Sequence, residues 1–177
     1  MGGLTPSWPT AISPLTIATP SCARCHGLGV VRARSDLRAW HCVLRAVCRT
    51  CLAHYYVSQV MMAHAHAVAF ERVRGPGGRP IIRVGNRHAE YSADFVLAAR
   101  RALAGMPVEW RVFHLHFLQG HQWRRCVRII NRVLRLAVPL TEGTFFRAVY
   151  RAEVLIGSTI LASRPYRLYP PAEYLSF

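Results

Sequence analysis

Two cysteine pairs at Cys-x-x-Cys spacing, Cys22-Ala-Arg-Cys25 and Cys48-Arg-Thr-Cys51, carry the clearest chemistry in this chain. Each pair can present two sulfurs to one ion, and pairs about twenty residues apart can supply the four thiolates of a tetrahedral zinc site. Gly27 and Gly29 follow the first pair and let backbone N–H groups approach the thiolates. Cys48 and Cys51 stand at i and i+3, so on a helix they share one face. The predicted ligands are Cys22, Cys25, Cys48 and Cys51, and the predicted cofactor is a structural Zn2+. Cys42, preceded by His41, is the alternative ligand in place of Cys48. His26 and His54 are weaker candidates that read first as surface or packing residues. Four protein ligands close the coordination sphere and leave no position for a reacting water, which points to structure rather than hydrolysis. The competing reading is that the thiols are reduced, buried and packed as small hydrophobes. Iron–sulfur ligation would use the same donors but has no distinctive spacing in its favour.

The charge balance names the partner. The chain has 177 residues, a formal net charge of +15 and 23 basic side chains against 8 acidic ones. All of the basic residues are Arg; no Lys occurs. A GC-rich genome is the bland reading of that bias; whatever its cause, the physical result stands. Planar guanidinium forks suit bidentate contact with phosphates and guanine edges. So large a surplus implies a polyanionic partner, with an acidic membrane surface a distant second. No uninterrupted apolar run reaches the roughly 18 residues that a membrane span needs. Paired cysteines without a disulfide framework point to a reducing cytoplasm, here with the nucleoid as the site of action.

A catalytic reading finds little support. Catalysis needs a nucleophile–base pair, paired carboxylates or an open metal site. The acidic residues are scattered singly, and neither a Gly-x-Ser-x-Gly elbow nor a phosphate-binding loop occurs. His64 with His66, and His114 with His116, are i and i+2 pairs, about 200° apart around a helix, and cannot chelate together. The expectation is a binder, not an enzyme.

The elements that must position these residues are mostly helical. The expected fold is mostly α: a small zinc-knuckle module followed by a helical bundle with a helix-turn-helix-like arrangement. Residues 1–20 carry four prolines and read as a flexible tail. Residues 21–74 hold the knuckle, a short hairpin with Val30–Arg34 as one strand, and a long helix from about Cys42. That helix has Val43, Val47, Leu52, Tyr56, Val60 and Ala63 along one broad face. Residues 75–91 read as a hinge, opened by Gly75-Pro76-Gly77-Gly78-Arg79-Pro80 and followed by an extended piece, Ile81–Val84.

Residues 92–177 form the expected DNA-binding unit. Ser92 reads as the N-cap of a helix over 93–104, and Pro107 opens a second that runs to about Gln119, where Gly120 stops it. A third covers roughly His121–Ile130, with Cys126 as a core residue. Thr141 caps a last helix from Glu142 to about Leu161. On that helix Phe145, Val149, Ala152 and Ile156 should face inward, leaving Thr144, Arg147 and Arg151 outside with Tyr150 at their edge. This face is the predicted groove reader, and Arg124, Arg125 and Arg128, with Arg132 and Arg135 in the same cluster just upstream, are predicted phosphate contacts. The competing reading is a solvated basic face on an ordinary bundle helix. The Pro165–Pro171 tail cannot be helical and should pack its aromatics back onto the domain.

Several resemblances run alongside this reading. Cys22-x-x-Cys25-x-Gly27-x-Gly29 resembles one half of the zinc-binding repeat of the DnaJ chaperones over eight residues. Residues 93–157, with "PVEWRVFHLHFLQG" and "FFRAVYRAEVLIG", resemble the region-4 domain of bacterial sigma-70-type factors. The order of a cysteine knuckle and such helices is similar to that of phage late-gene antitermination proteins. From Cys22 to Phe177 the chain resembles a family of bacterial and prophage proteins sharing the knuckle, the "FFRAVYR" helix and a closing "PYxLxPxxEY" tail. The DnaJ likeness carries no chaperone function over; the sigma-like and antitermination-like resemblances imply a regulator of transcription that binds DNA and touches RNA polymerase, here stabilised by zinc. Two other expectations remain: a protein-interaction adaptor without sequence-specific DNA binding, and an RNA-binding protein using Tyr55, Tyr56 and Trp123.

Overall fold

The protein is mostly helical. A computed structural model describes residues 18–33, 36–39, 41–72, 83–163 and 168–169. A knuckle at 18–29 leads into an antiparallel hairpin of β1 (Val30–Ala33) and β2 (Asp36–Ala39), in which Val30 pairs with Ala39 and Ala33 with Asp36. Helices α1 (His41–Arg72), α2 (Arg83–Ala102), α3 (Pro107–Phe113), α4 (Trp123–Leu134) and α5 (Glu142–Ala162) follow. Residues 1–17 of the expected flexible tail, the Gly75–Pro80 hinge and most of the Pro165–Pro171 tail lie outside the described residues. At the end of that expected tail Ala18 is instead buried in the main core, and the Thr19 carbonyl accepts from Cys22 N–H at 3.0 Å. Leu168 and Tyr169, which are described, are buried against the main core.

Helix α5 organises the molecule because its apolar stripe is long enough to serve two cores. Its start is well specified: Thr141 accepts from the Thr144 backbone N–H, and the Thr144 hydroxyl accepts from Thr141 N at 2.7 Å. Phe145, Val149, Ala152 and Ile156 all point inward as their spacing requires. The N-terminal half packs with Val112, Leu115, Cys126, Ile130 and Leu140. The C-terminal half, with Ala152, Ile156 and Ile160, joins Val43, Val47, Cys48, Cys51 and Leu52 of α1 and Tyr91, Phe95 and Ala99 of α2. Helices α1 and α5 approach closely because position 157 is Gly.

Helix α1 buries Val43, Leu44, Val47, Cys48, Cys51, Leu52 and Ser58. The expected face holds through Leu52 and then fails. Tyr56 and Val60 are 42% and 67% exposed, and Ala63 is exposed as well.

Three boundaries differ from expectation. Helix α2 starts at Arg83, so Arg83–Tyr91 is helical rather than hinge, and Arg83 and Val84 are not extended. Ser92 lies buried in mid-helix and caps nothing. Packing outweighs the poor local propensity of Gly85 and Asn86 here: Tyr91 is fully buried, and His88 Nδ1 lies 3.1 Å from Ser58 Oγ on α1. The segment expected as one helix to Gln119 is α3 followed by a π turn, His114–Leu118, closed by Gln119 N–H on the His114 carbonyl. The wide turn ends at Gly120, whose φ of 68° suits glycine. Helix α4 runs to Leu134 instead of Ile130 and ends with Arg135 in the left-handed region. Asn131 then ties the connection down, donating to the Leu140 carbonyl and accepting from Leu140 N–H at 2.7 Å.

Candidate metal centre and arginine faces

The knuckle is a tight backbone turn. His26 N–H donates to the Cys22 carbonyl at 2.8 Å and Leu28 N–H to the Cys25 carbonyl at 2.8 Å. His26 and Gly27 adopt positive φ, 49° and 81°. This turn folds Cys22 and Cys25 toward the start of α1, where Cys42 occupies the second helical position.

The Sγ atoms of Cys22, Cys25 and Cys42 all lie within 4.8 Å of one another, and Cys25 and Cys42 are 3.5 Å apart. Three thiolates on one zinc ion at ordinary bond lengths stand about 3.8 Å apart, so this arrangement can hold a metal ion with small shifts. The donor set is soft and suits thiophilic ions. Backbone N–H groups of Cys25 and Arg24 favour the Cys22 thiolate and hold its pKa down at about 7. Burial pushes the Cys42 thiol the other way. Among the described residues no fourth Cys, His, Asp or Glu joins the group.

The second pair stands elsewhere. Cys48 and Cys51 are fully buried in the main core, and Cys51 Sγ donates to the Leu168 carbonyl at 3.3 Å. Burial pushes both thiols up, Cys51 to about 12. The physical reason is helical period: Cys48 follows Leu44, and Cys51 follows Val47, one turn on along the inward face. The structure therefore gathers the first pair with Cys42, the alternative ligand, and leaves Cys48 and Cys51 in packing positions. His26 is exposed, and His54 lies edge-on to Tyr91 with ring centroids 4.8 Å apart. Cys126 is buried in the second core as expected.

The arginines predicted to meet nucleic acid fall on two exposed faces. Arg125 and Arg128, with Arg132, Ile129 and Val133, line an open depression of about 560 Å3 along α4. Arg124 lies over the neighbouring Trp123 ring at 5.4 Å. On α5, Thr144, Arg147 and Arg151 are exposed at i, i+3 and i+7. Thr144 is occupied in the cap, and Arg151 Nη1 is 3.1 Å from Glu109 Oε1 of α3.

The sequence reading missed an ionic cluster joining α1 to α5. Glu153 is 2% exposed; its Oε2 accepts from Arg45 Nε at 2.6 Å and its Oε1 from Arg49 Nε at 2.6 Å. Arg45 also covers the Tyr150 ring, and Tyr150 Oη lies 2.9 Å from His41 Nδ1. The available signal was Glu153 itself, an acid inside the apolar stripe of α5 that must find a partner.

No protein family, curated protein or solved structure matches this chain. Among the described residues no helix is long and apolar enough to cross a membrane.

Proposed function

We propose that this protein is a zinc-stabilised DNA-binding regulator of transcription, of bacterial or prophage origin, acting in the cytoplasm at the nucleoid. Cys22, Cys25 and Cys42 hold the zinc, which pins the knuckle to the first turn of α1. The observation that carries the reading is the arginine-lined depression of α4 at Arg125, Arg128 and Arg132 on a chain of net charge +15. Guanidinium groups one turn apart along one helix suit successive phosphates, and exposed Arg147 on α5 takes a base edge or a further phosphate in this reading. Contact with RNA polymerase belongs to the same proposal and is supported by the sigma-like and antitermination-like sequence resemblance.

The deciding experiment is duplex binding against salt. Each phosphate neutralised adds about −0.9 to the slope of log K against log salt concentration. Replacing Arg125, Arg128 and Arg132 by Ala should weaken binding and flatten the slope by roughly three contacts' worth. Replacing Arg147 and Arg151 by Ala should weaken it further. Binding that ignores both salt and substitution would overturn the reading.

The adaptor reading has one observation in its favour. Tyr56, Val57, Val60 and Met61 expose apolar surface along the second half of α1. Salt-indifferent binding of a protein, unaffected by the arginine substitutions, would favour it.

A further inference from the structure

We infer that the three-sulfur site and the arginine face of α5 are coupled through the first turns of α1, so that metal occupancy sets the affinity of that face for nucleic acid. The inference rests on the DNA-binding reading and names how it would be regulated.

The route is short. His41 and Cys42 are adjacent in the first turn of α1, so an ion held by Cys42 also fixes His41. His41 Nδ1 lies 2.9 Å from Tyr150 Oη, and the rings meet edge-on with centroids 5.7 Å apart. Tyr150 stands on the exposed side of α5, three residues after Arg147 and directly before Arg151. One turn along α1, the Arg45 guanidinium carbon sits 4.6 Å from the Tyr150 ring centroid while its Nε binds Glu153. The same tyrosine is thus held from above by two α1 side chains and flanked by two arginines of the proposed interface.

The metal would add to the support of that helix start. Val43 and Leu44 already hold the first turn from the core side, Leu44 against Gly157, and the turn has no acidic residue to oppose the helix dipole. A metal bound by three thiolates carries net negative charge at that end and ties it to the knuckle. Without the ion, the turn loses its tie to the knuckle and His41 is held less firmly against Tyr150, while Arg45 stays on Glu153. Ordering of the α5 face then falls to the time of nucleic-acid binding, which weakens that binding. By linkage, a duplex bound at α5 must tighten metal binding by the same factor.

The full-length chain is tested zinc-loaded and after chelation, by anisotropy of a fluorescein-labelled duplex at fixed salt, with Tyr150→Phe beside the wild type. Tyr150→Phe keeps the ring under Arg45 and removes only the hydroxyl facing His41. For wild type, chelation should weaken duplex binding about tenfold, within the usual range for coupled sites. Tyr150→Phe should bind more weakly even with zinc and lose little more on chelation. Zinc affinity, measured by chelator competition without nucleic acid, should fall in Tyr150→Phe. Equal wild-type affinity with and without zinc overturns the coupling but leaves the DNA-binding reading standing. No duplex binding in either state overturns both. If Tyr150→Phe retains the full zinc dependence, or if circular dichroism shows both proteins simply unfolding on chelation, the local route is overturned.

Discussion

Gly157 of α5 meets the backbone of Leu44 of α1 where the two helices pack, and the Leu44 carbonyl oxygen occupies the place a Cβ would take. The Leu44 carbonyl carbon would stand only 2.7 Å from that Cβ. Backbone atoms cannot rotate aside as a flexible side chain can, so Gly157→Ala must part the helices through the main core. Overpacking of this kind costs about 2–3 kcal/mol. For a chain of this size the melting temperature should drop by roughly 5–10 °C, readable by circular dichroism. An unchanged melt would mean that α1 and α5 do not approach in this way.

The ionic cluster beside that contact should respond asymmetrically to substitution. Glu153 is buried, whereas the side chains of Arg45 and Arg49 are 30% and 58% exposed. Removing the carboxylate leaves two cations that can turn to water, so Glu153→Gln should cost about 1–2 kcal/mol. Removing both arginines strands a charge in the core, at a cost of about 3–5 kcal/mol. Urea unfolding of the two variants checks the order. Equal losses would show that the pairing adds nothing beyond ordinary packing.

How far the sequence spoke depends on where local and tertiary forces agree. At α5 they agree: Thr141 caps, the apolar stripe repeats at helical spacing, and the inward set from Phe145 to Ile156 is found where expected. At Arg83–Tyr91 they disagree. A Gly- and Asn-containing stretch after a Gly/Pro run reads as loop, yet burial of Tyr91 makes it helix. At Cys48 and Cys51 the motif competed with the period. Their spacing suits a knuckle, but a rigid helix already commits that face to α5 and Tyr91. Cys42, one residue after the start of α1, is free of that commitment and reaches the knuckle. The link between His41 and Tyr150, 109 positions apart, leaves no local trace at all.

Burial of Cys48 and Cys51 makes stability fall in alkali. Their folded-state pKa values lie above the ordinary thiol value, Cys51 at about 12. Below the unfolded-state pKa both states keep the protons, and this part of the stability is fully present. As pH rises above it, only the unfolded chain releases them, so stability drops. Each thiol contributes a slope of about 1.4 kcal/mol per pH unit above roughly pH 8.5. Urea unfolding between about pH 7.5 and 10 should show that fall in wild type. Replacing both residues by Ala should lower the slope by their two shares, leaving the part owed to Cys126, whose thiol burial also pushes up. A parallel fall in the variant would assign the alkaline loss to other groups.

The same two residues separate the candidate metal site from the core. Cys22→Ser, Cys25→Ser and Cys42→Ser each remove one of three sulfurs that lie within 4.8 Å of one another. Each should abolish stoichiometric zinc in the purified protein, because losing one donor of a small thiolate set removes much of the binding free energy. Cys48→Ala and Cys51→Ala take thiols from packing positions in the main core. They should keep full zinc while lowering the melting temperature, since buried sulfur is lost without a ligand being lost. Elemental analysis and melting of the five variants read both quantities at once. Full zinc in Cys42→Ser, or none in Cys48→Ala, would return the ligand set to the two Cys-x-x-Cys pairs and require α1 to unwind near Cys48.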